Sequence, residues 1–142
     1  MSSARLIQVL VMLYWLFGSL DVLTSTLFPG LLPEPLRAWQ QTEPQNGFID
    51  TLVITWMLIL LAVLIAGSLG VYRLRNWGRW LFAAANVVMF ASYPLLDAMV
   101  YSWLGGLFAD LALVITGAIV MASFAPGASQ LFRAALAGPS SP

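Results

Sequence analysis

The stretch FIDTLVITWMLILLAVLIAGSLGV, Phe48 to Val71, carries Asp50 as its only charge, and YRLRNWGRW, Tyr72 to Trp80, follows at once with three arginines. A hydrocarbon core of roughly 30 Å takes about 20 apolar residues at ~1.5 Å per residue, so the first stretch reads as a membrane span. The second is too charged to enter the core and reads as a turn at its edge. The fold is therefore decided here as two antiparallel spans joined by a short Arg/Trp turn.

Working outward, Leu6 to Phe28, Trp80 to Tyr101 and Leu107 to Phe124 meet the same length rule, and the connections between them carry Pro and Gly. The expectation is an all-α polytopic membrane protein with four transmembrane helices in an up-down bundle. The whole chain, 1–142, forms one membrane domain: spans at 6–28, 48–71, 80–101 and 107–124, an outer loop at 29–47, a cytoplasmic turn at 72–79 and a cytoplasmic tail at 125–142. Ser102-Trp-Leu-Gly-Gly106 reads as the turn between the last two spans, and a continuous helix from Tyr101 to Phe124 is the alternative.

Composition agrees. The chain is 61% hydrophobic and 8% charged, against roughly 25% charge for an ordinary soluble domain. With no His and no Cys there is no imidazole base, thiolate nucleophile or thiolate metal site, and with no Lys there is no Schiff base. No catalytic residue, metal site or cofactor is expected, and no nucleic-acid patch. The protein reads as a non-enzyme.

Arginine placement sets the orientation. Arg5, Arg73, Arg75, Arg79 and Arg133 fall on one side of a four-span chain and Arg37 alone on the other. Both termini are thus expected in the cytoplasm of a bacterial inner membrane. Arg5 before Leu6 to Phe17 has the outline of a signal peptide, but no A-x-A-like cleavage site follows and the apolar run continues to Phe28. In the outer loop, Pro35 opens a short interfacial helix through Gln41, with Leu36 and Trp39 dipping toward lipid. In the tail, Ser129 is placed to cap an amphipathic helix with Leu131, Phe132 and Leu136 on the lipid side.

One aspartate falls in each span, toward the outer face. Helix polarity sorts them. Asp50 and Asp110 stand at the starts of spans two and four, where a carboxylate caps free N–H groups. Asp21 and Asp97 lie near the ends of spans one and three, where the dipole opposes them, so each is expected to face protein or water, to be paired, or to be protonated. Tyr14, Asp21 and Ser25 share a face on span one, and Asn86, Tyr93, Asp97 and Tyr101 share one on span three. These residues form a candidate polar site, read either as an interhelical hydrogen-bond cluster or as a cation or proton site. Ala62, Ala66 and Gly70 form a small-residue stripe on span two, and Gly117 with Met121 lie on the Asp110 face of span four, both suited to close helix contact.

Arg73, Arg75, Trp77, Arg79 and Trp80 suit a topology anchor that touches anionic lipid headgroups or a partner. Gly70 to Leu81, with Thr116 to Ile119, resembles the Gly-x-x-R-L-R-x-W-x-R-W-L turn and Thr-Gly-Ala-Ile-like segment of a group of small bacterial four-helix membrane proteins. That resemblance implies the four-helix fold and no activity. Leu20 to Leu27 is similar to the acidic first helix of the small multidrug-resistance transporters, although the one-sided arginines depart from dual-topology insertion. Two functions follow as expectations: an accessory or structural subunit packing with other membrane proteins, lipids or itself, and a small oligomeric cation- or proton-coupled transporter using Asp21 and Asp97.

Overall fold

A computed structural model describes residues 3–36, 38, 47–93 and 102–134. Every regular element among them is helical: α1 (Ser3–Leu27), a 3-10 turn (Pro29–Leu31), α2 (Gly47–Tyr72), α3 (Asn76–Ser92), α4 (Trp103–Phe124) and α5 (Ala128–Ala134). Ser3–Leu27, Thr51–Tyr72 and Trp103–Phe124 are long and apolar enough to cross a membrane. A helix is what lipid demands, because it satisfies its backbone polar groups internally. Pro94, Asp97 and Tyr101, together with Arg37, Trp39, Gln40, Gln41 and Leu136, lie outside the described residues.

The helices pack chiefly as two pairs, α1 with α4 and α2 with α3, and the pairs meet each other through thinner α1–α2 and α3–α4 contacts. Glycine sets the α2–α3 pair. A Cβ on Gly78 would stand 2.3 Å from the Gly70 carbonyl carbon, and one on Gly67 would stand 2.9 Å from the Phe82 nitrogen. The two backbones touch because neither glycine carries a side chain there. The packed small residues are thus Gly67, Gly70 and Gly78. Ala62 and Ala66 of the expected stripe are exposed, since α3 rides over the helix face offset from them.

The α2–α3 turn closes with paired hydrogen bonds, Arg75 N to Gly70 O at 2.8 Å and Leu74 N to Val71 O at 2.9 Å. This double bond is the Schellman arrangement, which requires a left-handed residue at its second-last position. Leu74 takes that place with φ 54.

Two cross-helix bonds join indole to hydroxyl. Trp15 Nε1 donates to Ser68 Oγ, and Trp56 Nε1 to Ser92 Oγ, each at 3.0 Å. The serines pass their own protons to the Ile65 and Val88 carbonyls. Tryptophans in these spans therefore do more than mark the membrane boundary. The main core, with Ile7, Val11, Leu64, Val71, Phe82, Ile119 and Phe132, gathers toward the end where α1 begins and α2 ends.

Helix α4 begins four residues earlier than the expected span. Ser102 caps it, its hydroxyl accepting from Gly105 N at 3.1 Å, and Gly105 and Gly106 are helical rather than a turn. The corrected start moves Asp110 to the eighth position of the helix, so the capping role expected of Asp110 belongs to Ser102. At the other end, Gly127 at φ 89 folds α5 back over the helix ends. Phe132, expected to face lipid, is wholly buried there, and α5 starts at Ala128, so Ser129 stands inside the helix rather than before it. Gly117 and Met121 make no close helix contact either: nothing lies within 4 Å of a Cβ on Gly117, and Met121 is 78% exposed.

Candidate functional site

Two polar clusters occupy opposite ends of the helix set. The first centres on Asp21, six residues before the end of α1, or about 9 Å at ~1.5 Å per residue. Its neighbours come from the start of α4. A Cβ on Gly105 would stand 3.3 Å from Asp21 Oδ1, 3.3 Å from Ser102 Oγ and 3.5 Å from Ser25 Oγ. Glycine thus leaves the space that the carboxylate occupies. Asp21 Oδ1 is sealed from solvent and has no hydrogen-bond partner. Ser25 does not supply one, because its hydroxyl donates to the Asp21 main-chain oxygen at 2.9 Å. Phe17 stacks on Phe108 one turn deeper, with ring centroids 6.2 Å apart. A buried oxygen without a donor costs roughly 1–3 kcal/mol, more when charged, so a donor or cation reaching this oxygen would be stabilising.

The structure brings Asp21 and Ser25 together and adds Ser102 and Gly105. Tyr14 lies elsewhere, edge-on to Phe82 at 5.7 Å and to Trp15 at 5.4 Å in the main core. Asn86 Nδ2 donates to Phe82 O at 2.8 Å within α3, and Tyr93 is exposed beside Phe90. Asp97 and Tyr101 fall outside the described residues. Ser102 was hidden from sequence reading by its place in an apparent turn. The signal available was its position three residues before a glycine and just ahead of an apolar run, the spacing of an N-cap.

The second cluster lies at the arginine-rich end. Arg73, Arg75, Trp77 and Trp80 are exposed, as an interfacial anchor requires, but Arg79 turns inward. Its guanidinium sits over the Phe124 ring at 5.2 Å and the Phe132 ring at 5.3 Å. Arg79 Nη1 donates to Ser123 O at 3.3 Å, while Arg79 Nε, Ser123 Oγ and Asn76 Oδ1 are buried without partners. Two cation–π contacts, each worth about 0.5–2 kcal/mol, hold the charge in place without neutralising it. No acid stands in residues 51–96 or 111–142, the stretches that build this end.

Between α3 and α4 runs a groove of about 370 Å³ whose lining includes Ala83, Asn86, Phe90, Leu113, Thr116 and Val120. Asn86 is bonded within α3 as above, and Thr116 Oγ donates to Ala112 O at 2.9 Å. Both polar side chains are thus satisfied inside their own helices, and the groove presents an apolar wall. A second cavity of about 340 Å³ lies between the start of α1 and the α4–α5 corner.

Fold and surface together define a class, the all-helical integral membrane proteins. Beyond that class, no protein-family model, curated protein or solved structure matches the chain.

Proposed function

We propose that this chain is a non-enzymatic integral membrane protein, an accessory or structural subunit that packs with other membrane proteins, with lipids or with itself in a bacterial inner membrane. On this reading the chain crosses the membrane four times, with residues 80–101 as the third crossing. The arginine-rich end, with both termini, lies in the cytoplasm, in keeping with five arginines against one.

Asp110 carries the reading. It is exposed on the flank of α4, seven residues inside the helix, about 10 Å from its start at ~1.5 Å per residue. Leu107 and Val114, 48% and 69% exposed, flank it at helical spacing. A carboxylate inside a span is unfavourable by up to about 2.5–3.5 kcal/mol toward lipid, and a donor from a neighbouring subunit removes that penalty. Gentle extraction from native membranes and sizing of the complex tests this. Asp110→Leu is expected to release a partner or self-associated copy that the parent retains, whereas a parent that migrates as a solitary monomer overturns the reading.

The unpartnered Asp21 Oδ1 favours a second reading, a cation- or proton-coupled transporter component. Flux measured in liposomes decides it: Asp21→Asn should abolish cation-dependent transport, and a parent with no flux ends it.

A further inference from the structure

We infer that the α3–α4 face is a binding site for one anionic phospholipid, with its phosphate at Arg79 and Ser123 and an acyl chain in the groove between the two helices. This rests on the lateral-packing reading above and deepens it by naming a lipid class.

The first support is a deficit of acceptors. Six hydroxyl residues are buried among the described residues: Thr24, Ser68, Ser92, Ser102, Thr116 and Ser123. The hydroxyls of Thr24, Ser68, Ser92 and Thr116 donate to carbonyls of their own helices, and Ser102 accepts the α4 cap bond. Ser123, 1% exposed, is the exception. Its main-chain oxygen already holds Arg79 Nη1, so two unmet donors, Ser123 Oγ and Arg79 Nε, belong to one contacting pair. The turn that opens α3 adds more. Its N-cap, Arg75, makes no side-chain cap bond, which leaves first-turn N–H groups and the positive end of the helix dipole facing the same turn. Asn76 Oδ1 is also buried without a partner, and a half-turn about the last side-chain bond presents the amide nitrogen in its place. Donors of this kind, held by two aromatic rings and with no acid nearby, match a phosphate.

The second support is continuity. Arg79, Ala83, Asn86 and Phe90 follow each other along α3 at spacings of four, three and four, and Leu113, Thr116, Val120 and Ser123 do the same along α4. The groove is lined by Ala83, Asn86 and Phe90 of the first stripe and by Leu113, Thr116 and Val120 of the second, and one turn beyond that lining the stripes end on Arg79 and Ser123, which touch each other. A phosphate at the pair therefore places whatever is esterified to it at the mouth of an apolar channel. Trp77 and Trp80, 51% and 60% exposed, set that level at the membrane boundary, where headgroups lie. The chemistry shared with free phosphate stops at the pair, and the groove is what selects a lipid.

Native mass spectrometry of the full chain, purified in detergent and supplied with phosphatidylglycerol or phosphatidylcholine of equal chain length, tests the site. The parent should retain one phosphatidylglycerol in preference to phosphatidylcholine. Arg79→Gln should lower retention by about tenfold, as loss of a charge-assisted bond implies, and Ser123→Ala by a smaller factor. Gly117→Leu, which fills open space beside the groove, should also lower it, whereas Arg73→Gln should not. If Arg79→Gln does not fold, Ser123→Ala and Gly117→Leu decide. Unchanged retention in those two overturns the proposal, as does equal loss in Arg73→Gln, which would show only diffuse charge attraction. Inorganic phosphate that raises the unfolding temperature as much as phosphatidylglycerol overturns the lipid assignment in favour of a free anion. The readout is lipid on a purified chain, so its failure is separate from failure to capture a protein partner.

Discussion

The two ends of this helix set bury polar groups in opposite ways. At the Asp21 end, α1 meets the start of α4, and a carboxylate oxygen lacks a donor. At the Arg79 end, α3 meets the end of α4, and the guanidinium and a serine hydroxyl lack acceptors. The surroundings differ as well. The Arg79 end is locked by the glycine contact of α2 and α3, the double-bonded turn and the α5 cover, with Val71, Phe82 and Phe132 almost wholly buried. Around Asp21, the α1 residues Val22, Leu23, Ser25 and Thr26 are exposed, and the buried neighbours are Thr24 of α1 with Ser102 and Gly105 at the start of α4. A rigid end suits a fixed binding contact, and a thinly covered end suits contact with something outside the described chain.

The largest way to break this contrast is at the rigid end. Gly78→Val places a branched side chain where even a Cβ would come within 2.3 Å of the Gly70 backbone. It should destabilise the protein by about 3 kcal/mol, since backbone cannot yield as a side chain does. Thermal unfolding in detergent, followed by tryptophan fluorescence, checks it. Gly117→Ala is the control on an open helix face. It should be neutral or stabilising by up to about 1 kcal/mol through helix propensity. Equal losses from the two would mean that α2 and α3 are not held by their glycines.

The opposite sign is expected at the other end. Asp21→Asn removes charge from an oxygen that has no donor, so stability should rise by about 1–2 kcal/mol. A fall in the unfolding midpoint would show that a donor from outside the described residues holds the carboxylate, and would make the two ends alike.

Sequence reading reached the helical class and three of the four apolar spans because hydropathy and charge are summed along the chain and need no knowledge of partners, while the Arg/Trp turn expected at 72–79 is confined to 73–75, α3 beginning at Asn76. It failed where direction mattered. Arg79 looks like its neighbours Arg73 and Arg75 in sequence, and only the folding back of α5 after Gly127 gives it Phe132 to rest on. Gly105-Gly106 looked like a turn because glycine is a usual helix breaker. Here its lack of a Cβ serves the close approach of α4 to Asp21, and Ser102 supplies the cap. With the turn misplaced, Asp110 looked like a cap instead of an exposed carboxylate inside a helix. Asp21 stood out from helix polarity alone, but Ser102 and Gly105 beside it come from another part of the chain, and only Ser25, on its own helix, was legible from spacing.

A smaller effect probes how the two helix pairs are tied. Trp15→Phe and Ser68→Ala each remove one side of the α1–α2 hydrogen bond, and the double-mutant cycle should give a coupling near ~0.6 kcal/mol, the average for bonds inside membranes. Additive losses would mean that this bond adds nothing and that packing, with the Gln8 Nε2 to Tyr72 O bond at 3.2 Å, joins α1 to α2.

The smallest expected effect falls on the turn. Leu74 holds a left-handed backbone that disfavours a side chain by roughly 1–2 kcal/mol, yet its half-buried side chain packs on the main core. Leu74→Gly relieves the strain, loses about 1 kcal/mol of burial and frees the unfolded chain by about 0.5–1 kcal/mol, so the net change should lie between a loss of about 1 kcal/mol and a gain of about 0.5 kcal/mol. Leu74→Ala loses the same burial but keeps the strain, and should destabilise by about 1 kcal/mol. The gap between the two unfolding midpoints therefore reads the turn's stored strain less the freedom that glycine gives the unfolded chain. If Leu74→Gly proves more damaging than Leu74→Ala, the turn is not held in that geometry, and the rigidity assigned to the Arg79 end must come from the glycine contact and α5 alone.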